Sequence, residues 1–143
     1  MTNKTTLLDR VGGIETLDRV HKRFYDKVYQ HPWLGRFFEG HDQTAIEKRQ
    51  TQFMAEKMGG KKPYLGKEPY MAHRAMFITD KLFDIRTELL RESLLEEGLA
   101  EELIERWIRI DNAFRKQIVK NSISEFYATS WKYEKRVIIP EPR

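Results

Sequence analysis

Apolar residues recur along most of the chain at steps of three and four, the spacing that places them on one face of an α-helix. The first such stripe begins after Gly12-Gly13 and ends before His31-Pro32, and both pairs favour a helix boundary. No segment alternates apolar and polar residues between turn residues, so no sheet is predicted. We therefore predict an all-α protein. The first stripe consists of Leu17, Val20, Phe24 and Val28.

Further stripes predict the remaining helices. A short segment from Trp33 to Phe38 should precede the second stripe, which Gly59-Gly60 closes. Residues 61–70 contain two prolines and predict an ordered loop, followed by a short helix that carries His73. Thr79 can cap the next helix, because its hydroxyl oxygen accepts from a backbone N–H two or three residues on. The stripes are Ile46, Gln50, Phe53, Met54, Met58; Met71, His73, Met76; Leu82, Phe83, Leu89, Leu90, Leu94; and Leu103, Trp107, Ile110, Phe114, Ile118.

The pattern changes after Lys120. The apolar residues there predict either a continuation of the last helix or a short helix packed against the body, and the prolines near the end argue against helix. We predict a domain over residues 1–120 and a C-terminal extension, partly helical or flexible, over residues 121–143. The apolar residues in question are Ile123, Phe126, Tyr127 and Trp131.

The composition narrows the class of protein. A chain of 143 residues with 40% hydrophobic and 34% charged residues suits one soluble helical domain. The absence of cysteine excludes disulfides, thiolate nucleophiles, iron–sulfur clusters and cysteine-bound zinc. No apolar run matches a signal peptide or a membrane span, so we expect a cytoplasmic protein without a membrane partner. The 26 basic residues are interleaved with 22 acidic ones, which favours a mixed-charge surface over nucleic-acid binding.

Three polar residues in apolar surroundings are the candidates for a functional site. His73 alone is more often a satisfied histidine than the ligand of a large planar apolar cofactor. A buried Gln50 amide without a partner costs about 1–3 kcal/mol, so it either bonds a neighbouring helix or points into a pocket. A buried Tyr25 hydroxyl needs a partner too. Two donors and a histidine on a separate short helix suggest a ligand pocket, with ordinary packing as the open alternative.

Arg86 also falls on an apolar face, three residues after Phe83 and four before Leu90. A charge there must be paired or reach solvent along its stem, so a salt bridge with a glutamate or an extended side chain is favoured over a ligand role. Sequence motifs for serine hydrolases, phosphate loops and two-histidine zinc sites do not occur. The remaining histidines, which we interpret as surface or packing residues, are His21, His31 and His41.

Taken in order, these residues resemble the truncated haemoglobins, the short two-over-two helical globins. The similarity runs from about Leu8 to about Ile118, and the glycine pairs are a hallmark of that family. The segments that carry it are Val11-Gly12-Gly13, Phe24-Tyr25, Phe37-Phe38 with Gly40, Gln50 with Phe53, Met58-Gly59-Gly60, Pro63-Tyr64-x-Gly66, Met71-x-His73, and Ile78-Thr79 with Phe83.

The resemblance implies a truncated globin fold, a two-over-two helical sandwich around haem b. His73 would be the proximal iron ligand, and Tyr25 and Gln50 would be the distal pair that donates hydrogen bonds to a gas ligand. The apolar Ile46 beside this pair makes the first group of the family the most similar. Of the other residues, Phe38 would stack on the haem, Ile46, Phe53 and Met54 would line the distal side, and Arg49, Tyr64 and Met71 would contact the haem edge or propionates.

The implied function is binding of dioxygen, nitric oxide or other diatomic ligands at haem iron. Oxygen transport and nitric oxide dioxygenation supported by an unidentified reductase both fit, and a haem-based redox or peroxidase-like protein or gas sensor is the alternative. The resemblance disfavours a haem-free helical interaction module. Two departures stand out: Arg86 replaces a small apolar residue or a tryptophan, and the chain continues beyond the usual family end. An inward Arg86 would favour anionic ligands or anchor a water network.

Overall fold

The computed structural model describes residues 5–130 and 135–142. In this part of the chain there are eight α-helices and one 3-10 helix. Trp131, assigned from the sequence to the C-terminal helical segment, lies outside the described residues. The helices are α1 Leu7–Val11, α2 Ile14–Gln30, the 3-10 helix Leu34–Phe38, α3 Gln43–Lys57, α4 Pro69–His73, α5 Asp80–Glu96, α6 Glu101–Asn112, α7 Arg115–Ile118 and α8 Ile123–Thr129.

The long helices form the framework of the fold. Helix α2 packs against α3 and α5, and α5 packs in turn against α6. Each of these helices buries an apolar face at the centre, where Leu17, Phe24, Leu94 and Trp107 are almost completely enclosed. The described residues form isolated bridges but no strand. The prediction of an all-α protein is confirmed.

The predicted boundaries of α2 and α5 have local causes. Gly12 and Gly13 precede α2 with φ angles of +109° and +81°, a region in which a side chain is strained. Thr79 caps α5 as predicted, since its hydroxyl oxygen accepts from the backbone N–H of Leu82 at 3.3 Å. These helix ends depend on neighbours only a few residues away, which is why the sequence reveals them.

Two other boundary predictions are wrong. The short helix that carries His73 begins at Pro69, inside the predicted loop, and ends before Met76. Proline suits the first turn of a helix because its φ is already helical and its missing N–H is not needed there. The predicted last long helix is divided into α6 and α7. At this break the Phe114 ring meets Phe53 edge-on at 5.1 Å, a tertiary contact that the apolar periodicity does not reveal.

The C-terminal extension packs against the body. Of the two predicted alternatives, the structure has a separate short helix, α8, whose Phe126 is completely buried. The segment from 135 to 142 contains no helix, and its Val137 forms a parallel bridge with Met76. Trp33 Nε1 donates to the carbonyl of Ile139 at 2.7 Å. Among the described helices, none is long and apolar enough to cross a membrane.

Candidate haem-binding cavity

A cavity of about 530 Å³ opens between α2, the 3-10 helix, α3, α4, α5 and α6. This volume lies within the roughly 300–1,000 Å³ typical of small-molecule and cofactor sites. Most of its wall is apolar, and polar groups enter at a few points. The apolar wall includes Phe24, Val28, Leu34, Phe37, Phe38, Ile46, Phe53, Met76, Ile78, Leu82, Phe83, Phe114 and Ile118.

The cavity brings together most of the residues that the sequence nominated. Met54 and Met71 are the two nominated residues that do not line it. Met54 is fully enclosed in the helical core instead. Met71 is 45% exposed, and its sulfur accepts from Arg74 Nη1 at 3.2 Å. The nominated residues that line the cavity are Tyr25, Phe38, Ile46, Arg49, Gln50, Phe53, Tyr64 and His73.

His73 ends α4 and carries a neutral imidazole. Its Nδ1 lies 2.8 Å from the carbonyl oxygen of Pro69, one helical turn earlier. Burial lowers the pKa of His73 to about 4, although the bond to Pro69 opposes this shift. A carbonyl only accepts, so Nδ1 carries the proton and the lone pair is on Nε2. This is the tautomer that ligates a metal, and the bond to Pro69 fixes the orientation of the ring.

Tyr25 and Gln50 reach the cavity from different helices, α2 and α3. The Tyr25 ring is held edge-on by Phe24 at 4.8 Å and Phe38 at 5.9 Å. Burial raises the pKa of Tyr25 to about 12, although the charge of Arg86 opposes this shift. The phenol therefore keeps its proton at neutral pH and is a hydrogen-bond donor. Gln50 is half-buried on the cavity wall. Of the two alternatives for its amide, this position favours the one that points into a pocket.

Arg86 both forms a salt bridge and lines the cavity. Its partner is Asp111 of α6, not the glutamate that we expected. The guanidinium lies 5.2 Å from the ring centre of Phe24 and 5.6 Å from that of Phe83. Burial disfavours the charged form, but Asp111 and Tyr25 outweigh it and raise the pKa of Arg86 above its ordinary value. A fixed cation thus stands beside the Tyr25 hydroxyl.

Asp111 is a site residue that the sequence reasoning missed. It stands four residues after Trp107 and three before Phe114, on the same apolar stripe of the last helices. Like Arg86, a charged residue on an apolar stripe must be paired or reach solvent. Two charged residues on facing apolar stripes indicate a buried pair more strongly than either residue alone.

Basic and aromatic groups surround the edge of the cavity. Arg49 is exposed there, and the hydroxyl of Tyr64 donates to the carbonyl of Lys67 at 2.8 Å. Lys67 and His41 also line the cavity, and no sequence pattern indicates either role. His41 is exposed, as a surface residue should be, but it also contributes to the wall. This edge suits the carboxylates of an anionic cofactor.

His21 and His31 are packing residues, as interpreted. His21 is buried in α2, and its Nδ1 lies 2.8 Å from the hydroxyl oxygen of Thr51. Burial lowers the pKa of His21 to about 3, so the ring is neutral. The His31 ring accepts from the backbone N–H groups of Trp33 and Leu34 at 3.1 and 3.2 Å, just after α2 ends.

Comparisons with known proteins identify the family. A sequence model described as bacterial-like globin matches residues 6–120. The chain belongs to the bacterial-like globin family. This globin is 30% identical over 99 residues to a group 1 truncated haemoglobin of Mycolicibacterium paratuberculosis, a match that covers 69% of this chain and 73% of the relative. It is 28% identical over 119 residues to the group 1 truncated haemoglobin of Tetrahymena pyriformis, covering 83% and 98% of the two chains.

Solved structures confirm the truncated globin fold. The Fe(III) form of the Tetrahymena pyriformis protein superposes with a TM-score of 0.76 at 27% identity, over 82% of this globin and all of the other chain. The group II truncated haemoglobin of Bacillus anthracis reaches the same TM-score at 21% identity, over 84% and 95% of the two chains, and supports the fold alone. The predicted two-over-two architecture and family resemblance are both confirmed.

The cofactor of this globin is haem, and the function at its iron is binding of diatomic gases. The residues present fit that cofactor. Globins hold haem iron through one proximal histidine, and the His73 imidazole is neutral, has its Nδ1 proton engaged and lines an apolar-walled cavity. Basic residues at the cavity edge suit the haem carboxylates.

Proposed function

We propose that this globin binds dioxygen and, with an electron from a reductase, converts nitric oxide to nitrate. The observation that carries the proposal is the protonated Tyr25 hydroxyl on the wall of the same cavity as the neutral His73. When bound, haem supplies an iron atom with one position open to a diatomic ligand. The reaction balances as nitric oxide plus dioxygen plus one electron giving nitrate.

His73 anchors the cofactor in this proposal. Its Nε2 would bind the iron, while the Nδ1–H bond to Pro69 orients the ring and makes the imidazole a stronger electron-pair donor. Phe38, fixed against Tyr25 and Tyr29, would supply an apolar surface for the cofactor. Ile46 and Phe53 exclude water from the ligand side. Arg49 would bind the carboxylates, and the Tyr64 ring would contact the edge of the cofactor.

Tyr25 and Gln50 hold the gas ligand. A ligand that gains partial negative charge on binding accepts stronger hydrogen bonds than a neutral one, and donors already in place need no reorganisation. Both residues line the cavity on long helices, which limits their movement. They therefore slow the escape of dioxygen and keep it in the cavity until nitric oxide arrives.

Absorption spectra test the anchor. The purified protein with haem should show an intense haem band, and His73→Gly should lose or strongly shift it. Added imidazole should restore the band, because it replaces the missing ring without restoring the link to α4. A wild-type protein that retains no haem band once unbound haem has been removed contradicts the proposal.

Rapid mixing tests the ligand donors. Loss of a hydrogen bond to a partly charged ligand removes about 1.5–3 kcal/mol, so Tyr25→Phe should release dioxygen roughly 10- to 150-fold faster. Tyr127→Phe, on the surface of α8, is the matched control and should not change the rate. Mixing the oxygenated protein with nitric oxide should produce nitrate. An unchanged dissociation rate in Tyr25→Phe removes the donor role, and absence of nitrate removes the reaction.

Arg86 favours a second candidate, a peroxidase-like haem protein. A fixed cation beside Tyr25 would stabilise negative charge on a leaving oxygen. Arg86→Leu separates the two candidates. A slower reaction with hydrogen peroxide and a reducing dye, with unchanged dioxygen dissociation, supports the second candidate. Faster dioxygen dissociation with unchanged peroxide reactivity supports the first.

A further inference from the structure

Lys120 is a buried cation that binds the backbone around His73. Lys120 is only 4% exposed. The ammonium lies 2.9 Å from the carbonyl oxygen of His73 and 3.3 Å from that of Met76. Its own backbone N–H donates to the carbonyl of Ile78 at 2.8 Å. One residue thus makes three bonds to the segment from His73 to Ile78.

The segment that Lys120 holds has little stability of its own. Helix α4 contains five residues and ends at His73. Helices this short do not persist by themselves, because the first turn fixes several dihedral angles for very few hydrogen bonds. The last carbonyls of a helix also lack hydrogen-bond donors within the helix, and a lysine side chain near the end can supply a donor. The turn of α4 that orients His73 must therefore be supported by bonds from outside the helix.

The C-terminal extension holds the same segment from the other direction. Phe126 of α8 is completely buried, with its ring centre 5.5 Å from that of Phe77 and 5.9 Å from the Lys120 ammonium. The Val137 N–H donates to the carbonyl of Ala75 at 2.7 Å, and its carbonyl accepts from Phe77 at 2.9 Å. Phe126 and Val137 lie beyond residues 6–120, the part that matches the globin family.

We propose that Lys120, together with Phe126 and Val137, positions His73 and thereby sets the strength of its bond to haem iron and the rate of haem loss. The inference rests on the proposed function, because it requires His73 to be the iron ligand. By holding the His73 carbonyl, Lys120 keeps the turn from Pro69 to His73 closed. The closed turn maintains the 2.8 Å bond from His73 Nδ1 to Pro69, which strengthens the imidazole as a ligand.

A merely space-filling role does not explain this residue. A methionine would fill the same volume beside Phe126 without the desolvation of an ammonium group. It would leave the carbonyls of His73 and Met76 without the donor that Lys120 supplies. At position 120 the hydrogen-bond donor therefore matters more than the packing of the side chain.

Resonance Raman spectroscopy of the ferrous protein tests the inference. Lys120→Met should move the iron–histidine stretching band to lower frequency and broaden it, and haem should transfer to an apo-globin acceptor roughly tenfold faster, the factor for one hydrogen bond to a charged donor. Lys120→Arg should restore both values. Lys116→Met is the matched control, since Lys116 is an exposed lysine on α7. A folded Lys120→Met protein with the wild-type iron–histidine band overturns the inference, even if its melting temperature is lower.

Amide hydrogen exchange of the wild-type holoprotein provides a test that needs no variant. The N–H groups of Phe77, Lys120 and Val137 should be protected to a similar degree, because they close one set of bonds around His73. Exchange of Phe77 and Val137 at unprotected rates overturns the inference. The proposed function fails separately: a wild-type protein without an iron–histidine band, or one in which His73→Gly leaves that band in place, shows that His73 does not bind iron.

Discussion

Replacing Asp111 with asparagine removes the charge opposite Arg86 and leaves a side chain of nearly the same shape. The side chains of Asp111 and Arg86 are 7% and 23% exposed. Removing one partner of a fully buried pair costs about 3–5 kcal/mol, because the other charge is left uncompensated. Since water still reaches part of Arg86, we expect Asp111→Asn to lose about 2–4 kcal/mol of unfolding free energy. For a chain of this length that lowers the melting temperature by roughly 6–16 °C.

Urea unfolding of the haem-free protein, followed by circular dichroism, measures this loss. Glu105→Gln is the matched control. Glu105 pairs with Arg91 between the same two helices at 2.5 Å, but the two side chains are 49% and 34% exposed. An exposed pair contributes about 0–1 kcal/mol, so the control should change little.

A double replacement separates burial of charge from loss of packing. Arg86→Met combined with Asp111→Leu removes both charges and retains apolar volume, so its stability should stay within about 1 kcal/mol of wild type. An Asp111→Asn variant that costs no more than Glu105→Gln would refute the buried ion pair. So would a double variant that loses as much stability as the single variants Arg86→Met and Asp111→Leu together, because the two charges would then not interact.

Three further results are expected. In the haem-free protein, the free energy of unfolding should fall as pH drops below about 6.5, by up to about 1.4 kcal/mol per unit for each buried neutral histidine, because the unfolded chain binds protons that folded His21 and His73, with pKa values of about 3 and about 4, do not; His21→Leu should reduce the slope of the urea midpoint against pH, and an unchanged slope would contradict the assignment. Gly35→Ala should lose about 1–3 kcal/mol in the same assay, since its Cβ would lie 2.6 Å from the Tyr29 carbonyl oxygen. Arg49→Gln should speed haem loss roughly two- to fivefold, as for an exposed ion pair, while Lys48→Gln should not; equal rates would remove the edge contact.

The parts of the fold that the sequence predicted well are those with local causes. The apolar stripe of α2 and the hydroxyl cap of Thr79 depend on residues within one or two turns, and both occur as predicted. The break between α6 and α7 does not depend on such neighbours. There Phe114 meets Phe53 of α3, and Arg115 bonds Asp84 of α5 at 2.8 Å. Apolar periodicity continues through the break and therefore predicts one helix.

Some of the residues predicted for the candidate site line the cavity and others do not. Tyr25, Gln50 and His73 were selected as polar residues in apolar stripes and by family resemblance, and all three line the cavity. Met54 and Met71 were nominated by resemblance alone, and neither lines it. A one-residue step on a helix turns a side chain by about 100°, so proximity in sequence to a lining residue does not bring a neighbour to the same wall.

The sequence by itself determined the helical class, the family and the candidate residues for binding haem and a gas, because helical periodicity and motif spacing depend only on the order of residues along the chain. Tertiary structure decided which charges meet. Asp111 pairs with Arg86, 25 positions away in the sequence, and Lys120 donates hydrogen bonds to carbonyls 47 and 44 residues away. Backbone carbonyls occur at every residue and carry no sequence signal. Only the folded chain can show that a lysine at the end of the globin match holds the histidine at its centre.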